Sequence, residues 1–113
     1  MLSTCALSLG GCDAGIFTCD HELKSSVASP DGRLKAGVVF VQCGATTADA
    51  TWVVLGASHK DFDYERDQVA VFEGGDVALG WAGNRLFVMP RKARAFRTDA
   101  VSKGVRIEYR SRL

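Results

Sequence analysis

Four cysteines, two histidines and one run of acids are the side chains in this sequence with chemistry to offer. The cysteines are Cys5, Cys12, Cys19 and Cys43, and the histidines are His21 and His59. The acids are Asp61, Asp63, Glu65 and Asp67, with Arg66 the only base among them. A thiolate metal site fits poorly, because there is no Cys-x-x-Cys pair and the even steps from Cys5 to Cys19 match no zinc spacing. A nucleophilic Cys43 would need His21 or His59 as its base, and nothing in the sequence orients either. A disulfide is the remaining use for a cysteine pair. The acids could offer oxygens to calcium at close spacing. In an EF-hand register from Asp61, though, Arg66 and Phe72 stand where glycine and glutamate are required. The expectation is therefore a solvated acidic loop without a metal, whose Asp61, Asp63, Glu65 and Asp67 could meet a protein partner.

Other catalytic signatures are missing. No Gly-x-Ser-x-Gly elbow is present, and Gly74-Gly75 lacks the lysine and helix of a phosphate loop. His59 sits among Ser58, Lys60 and Asp61, which reads as surface, with a small metal-dependent hydrolase as the rival. No cofactor is expected. The net charge of +1 gives no global attraction to nucleic acid. From Arg91 onward basic residues outnumber Asp99 and Glu108, but too few aromatics are interleaved for base stacking, so no nucleic acid is expected.

The elements that must position these groups are strands. At 113 residues, the chain has room for one core. Period-two alternation dominates: Leu23, Ser25 and Val27 in a first strand, then Arg33–Gln42, Thr51–Leu55, Val69–Glu73, Val77–Trp81, Arg85–Met89 and Val105–Tyr109. Pro30-Asp31-Gly32 is a turn between the first two. The second strand carries Leu34, Ala36, Val38 and Phe40 on one face, with Val39 and Val41 on the other, so its later half should be buried on both. Gly37 within it suggests a bulge or a close backbone approach. Gly56–Gln68 reads as a polar loop, and Ala82-Gly83-Asn84 as a tight turn placing Leu86 and Val88 opposite Leu79 and Trp81. Pro90 should end its strand. Residues 90–103 read as irregular or one helical turn, anchored by Phe96. Seven short strands predict an all-β fold, a small antiparallel β-sandwich or rolled sheet.

The N-terminus adds an address. Leu9-Gly10-Gly11-Cys12 follows a short apolar run and is similar to the lipobox of bacterial lipoprotein signal peptides, where the cysteine is acylated after cleavage. No Lys or Arg precedes the run, and it is short for a complete signal, as a start assigned too far downstream would leave it. On this reading residues 1–11 are a truncated signal segment, 12–21 a tether and 22–113 a single β domain. Cys12 then carries lipid, Cys5 leaves with the signal, and Cys19 and Cys43 remain to pair. Closing that loop of about 25 residues would contribute roughly 3 kcal/mol in the chain-entropy model.

The block from Ser29-Pro-Asp-Gly32, through Lys35–Phe40, to Cys43-Gly-Ala-Thr-Thr47 resembles the signature of a family of small bacterial lipoproteins whose role is uncharacterised. Cys12 and Cys19 fall where that family has its lipobox and second cysteines. The resemblance implies an envelope domain, anchored to a membrane through Cys12 and facing the periplasm or exterior, and brings no catalytic residues with it. A non-catalytic binding or structural role is the expectation. The rivals are an immunity or inhibitor protein using the acidic loop against a basic effector, and the hydrolase built around His59.

Overall fold

Turn chemistry sets the first hairpin. In the computed structural model, which describes residues 19–44 and 49–110, β1 (Asp20–Ala28) and β2 (Leu34–Gln42) are joined through Ser29–Arg33. Asp31 makes an Asx turn: its Oδ1 accepts from Ser29 Oγ at 2.6 Å and from the Arg33 amide at 3.0 Å. Gly32 supplies the positive φ of 76° that this turn needs.

Seven further strands follow: β3 (Ala50–Ala57), β4 (Gln68–Glu73), β5 (Asp76–Ala82), β6 (Arg85–Arg91), β7 (Arg94–Thr98), β8 (Val101–Ser102) and β9 (Val105–Tyr109). They form a five-stranded sheet, β1-β2-β3-β4-β7, and a four-stranded sheet, β5-β6-β9-β8. Every pairing is antiparallel except β6 with β9, where Leu86 lies beside Ile107. The chain is all-β, and the described residues contain no helix.

The core lies between the sheets, where Ala36, Val53, Leu55 and Phe72 meet Leu86, Val88, Val105 and Ile107. One flank is joined by the β7–β8 link. There Tyr109 Oη donates to the Asp99 carbonyl at 2.7 Å, and the Asp99 amide donates to the Val69 carbonyl at 2.9 Å. Across the other flank, Trp81 Nε1 on β5 donates to the Val27 carbonyl on β1 at 3.0 Å. A second, smaller cluster of Val39, Val41 and Val54 lies on the outer face of the larger sheet. The later half of β2 is therefore buried on both faces, as its residues require.

Among the described residues, nine strands replace the expected seven. The two additions come from the segment read as irregular. All five residues of β7 are exposed and β8 has only two residues, so neither leaves an alternating pattern. Pro90 does not end β6, which runs on to Arg91 with Pro90 opposite Val77. The neighbouring β9 stops at Tyr109, level with Val88, so among the described residues no strand lies there to miss a proline N–H. Phe96 is not an anchor but 60% exposed, because the register steps from Arg97 to Ala95 and leaves it as the bulged residue. Its place against the core is taken by Ala93 and Tyr109.

A bulge also breaks β1. Leu23 pairs with Val39 and Ser25 with Val38, so Leu23 lies on the outer face while Val27, opposite Ala36, lies on the inner one. The three residues do not share a face. Both edge strands of the larger sheet thus carry a bulge, a device that hinders edge-to-edge pairing.

Candidate functional site

The cystine is the first feature to place. Asp20 pairs with Gln42, so Cys19 and Cys43 form the next rung of the β1–β2 ladder, and the structure joins them in a disulfide across 24 residues of sequence. Cys43 is therefore not a free thiol and cannot serve as a nucleophile. Such a bond fits an oxidising, non-cytoplasmic compartment. Among the described residues the first strand starts at Asp20, directly after the cystine. Cys12, the rest of residues 1–18 and the Thr46-Thr47 corner lie outside the described residues.

The acidic loop is a strap laid over the sheet. Between β3 and β4, Phe62 and Tyr64 turn toward the outer face and pack with Val39, Val41 and Val54. Asp61, Asp63 and Glu65 alternate with them on the exposed side. Two glycines make room for this layer. A Cβ at Gly37 would lie 2.9 Å from Phe62 Cε2, and one at Gly56 would lie 2.8 Å from Asp67 Oδ2. At Gly37 the expected bulge or backbone approach is replaced by a side chain, the Phe62 ring, and the strand register runs through Gly37 unbroken.

The four acids do different work. Asp67 Oδ2 accepts from the Asp63 amide at 3.0 Å, and its Oδ1 lies 3.4 Å from Lys103 Nζ. Asp63 Oδ1 accepts from the Arg66 amide at 3.0 Å. These two carboxylates hold the strap's own backbone. Asp61 and Glu65 have no ion pair among the described residues, so the strap presents an acidic ridge rather than a cage. Among the described residues, no group of three or more His, Cys, Asp or Glu side chains is placed to hold a metal ion.

The two histidines are separated by the length of the first hairpin. His21, opposite Val41 beside the cystine, stacks on Tyr64 at 5.5 Å and meets the edge of Trp52 at 5.1 Å. Its Nε2 is buried without a hydrogen-bond partner among the described residues. It belongs to the aromatic layer under the strap. His59 is exposed at the other end, in the turn that follows β3.

That turn lines a cleft which sequence reading had not assembled. Four connections meet at the end of the sandwich away from the cystine: Ser29–Arg33, Ser58–Lys60, Gly83-Asn84 and Lys103-Gly104. They enclose about 680 Å³, with Arg33, Ser58, His59, Asn84 and Lys103 on the walls. The walls are tied together. Ser58 Oγ donates to the Gly32 carbonyl at 2.6 Å, and the Ser58 amide donates to the Arg33 carbonyl at 3.0 Å. The Arg106 amide donates to the Asn84 carbonyl at 3.3 Å. Asp31, the one acid on the lining, is held below the usual carboxylate range by its bond from Ser29 Oγ and then by the Arg33 amide, and so stays ionised. The only sequence signal for this cleft was a set of turn residues at strand ends. Compared with known protein families, with curated proteins and with solved structures, the chain matches none.

Proposed function

We propose that this chain is a non-catalytic binding domain of the bacterial cell envelope, tethered to a membrane by lipid on Cys12. The observation that carries the proposal is the Cys19–Cys43 disulfide, which fits an oxidising compartment and lies seven residues beyond the lipobox-like Leu9-Gly10-Gly11-Cys12. The tether therefore enters at the cystine end. The loop cluster at the opposite end is the part held farthest from the anchor, where a partner would meet it. The resemblance of Ser29–Gly32, Lys35–Phe40 and Cys43–Thr47 to the small-lipoprotein signature supports the same reading.

The test is intact mass with thiol alkylation on protein recovered from bacterial membranes. Loss of residues 1–11, a diacylglyceryl-type mass on Cys12 and no free thiol at Cys19 or Cys43 are the expected results. A full-length, unlipidated chain with free thiols would overturn the reading.

The strap favours a second use of the same domain. Phe62 and Tyr64 seat it while Asp61 and Glu65 face solvent without an ion pair among the described residues, which suits an inhibitor of a basic effector. Such binding would weaken with salt and on charge reversal of Asp61 and Glu65. Binding insensitive to both would exclude it.

A further inference from the structure

The cleft at the loop tip has the chemistry of an anion site. Its lining includes two basic residues, Arg33 and Lys103, with Asn84, Ser58 and His59 beside them. Its floor is apolar, made by Leu34, Ala57 and Val105. An adjoining hollow shares Asn84 and Gly104 and adds Arg85 and Arg106. Arg33 and Arg106 have no ion pair among the described residues. Lys103 pairs with Asp67 at 3.4 Å and Arg85 with Glu108 at 3.3 Å, both at the long end of an ion pair. An anion in the cleft would share these cations with those carboxylates. The one acid on the lining, Asp31, accepts two hydrogen bonds within the Ser29–Arg33 turn and keeps its negative charge, which Arg33 and Lys103 together outweigh. At about 680 Å³ the cleft is of small-ligand size, and the hydrogen bonds across its walls fix it before a ligand arrives.

A turn places Lys103 on the lining, in a left-handed conformation that Lys92 shares outside the cleft. Ser102 pairs with Val105, so Lys103-Gly104 is a two-residue hairpin turn, with φ of 52° at Lys103 and 77° at Gly104. Asparagine is the favoured first residue of such a turn, because a lysine in the left-handed region costs about 1 kcal/mol. The chain nevertheless has a cation there, on the wall of the cleft. By contrast, the basic run Arg91–Arg94 lies at the β6–β7 connection and lines none of the clefts described here.

We infer that this cleft binds a small anionic ligand, one bearing phosphate or carboxylate groups, through Arg33 and Lys103 with Asn84 and His59 as further donors. The inference rests on the binding reading above and names its site. Arg33 forms charge-assisted hydrogen bonds to the anion from one wall, and Lys103 supplies a point charge from the other.

The experiment is a titration of the full chain, isotopically labelled and followed by amide chemical shifts, with sodium pyrophosphate and separately with sodium citrate at constant ionic strength. Saturable shifts confined to Gly32, Arg33, Ser58, His59, Asn84 and Gly104 are expected. The tighter probe identifies phosphate or carboxylate as the recognised group. Arg33→Gln should weaken binding roughly tenfold, the loss of one charge-assisted contact. Lys103→Asn should weaken it similarly. It relieves the turn but takes the ammonium away from Asp67, so its thermal unfolding midpoint is measured beside its affinity. Lost binding at an unchanged midpoint is the expected result. The inference is overturned if neither probe saturates, if shifts are as strong at Arg91–Arg97, or if neither variant changes the affinity. Failure here with Cys12 lipidated would remove the site and leave the anchored domain. Binding by a chain that is never lipidated would keep the site and remove the anchor.

Discussion

Phe62 lies on β2 because Gly37 has no side chain: a Cβ at Gly37 would stand 2.9 Å from Phe62 Cε2 and 3.0 Å from Leu23 Cδ1. Gly37 thus trades strand propensity for a seat. Gly37→Val should displace the Phe62 ring and loosen the strap between β3 and β4. Valine favours a strand, which offsets part of the cost, so a net loss of about 1–2 kcal/mol is expected. Denaturant unfolding would measure the loss, and faster proteolytic cutting within residues 58–67 would locate it. Unchanged stability and unchanged cutting would show that the strap is not held by this contact.

The cystine closes the ladder at the end where β1 begins. Replacing both Cys19 and Cys43 by serine should cost about 3 kcal/mol, since the crosslink restricts the unfolded chain over a loop of this length. The loss should appear as a lower denaturant midpoint with the fold retained. A drop below about 1 kcal/mol would mean that the β1–β2 pairing alone fixes this end.

Asp67 is a structural carboxylate among acids that look alike in sequence. Its side chain is only 13% exposed, it accepts from the Asp63 amide, and it faces Lys103. Asp67→Ala should cost about 1–2 kcal/mol and leave the Asp63 amide without its acceptor. Asp61→Ala and Glu65→Ala, on the exposed side of the strap, should change stability by less than about 0.5 kcal/mol. Thermal unfolding of the three variants would separate these roles, and equal effects would refute the division.

What the sequence made legible follows burial. Val105, Ile107 and Tyr109 alternate with Arg106 and Glu108 because one face of β9 meets the core, and the strand could be read directly. The second half of β2 could be read because Val38, Val39 and Val41 leave no polar face. β7 could not be read, since all five of its residues meet solvent and no face is selected for apolarity. The bulge at Lys24 was hidden for a related reason: it moves Leu23 to another face without changing composition. The strap reads as a polar loop because Phe62 and Tyr64 are spaced among acids, and only the sheet beneath explains them. Arg33, Asn84 and Lys103 are scattered in the chain. They meet because three hairpin turns and the β3 exit end at one level, and a single sequence carries no trace of that.

Tyr109 links the last strand to the β7–β8 connection, and its ionisation gives the fold an alkaline limit. Its Oη donates to the Asp99 carbonyl at 2.7 Å. Burial, with the Asp99 carboxylate adding to it, pushes its pKa up from 10.0 to about 12. The folded state therefore holds this proton more tightly than the unfolded chain does. The associated stability is fully present below the ordinary tyrosine pKa of about 10 and is lost as pH rises through the folded value. Between those limits stability should fall with pH. Tyr109→Phe cannot donate to Asp99, so it should be less stable at neutral pH by about 1 kcal/mol and lose part of the alkaline slope. Denaturant midpoints for both proteins across that alkaline range would decide the point. Parallel pH curves would mean that the slope comes from other groups and that the Tyr109 hydroxyl is not what holds the link to the core.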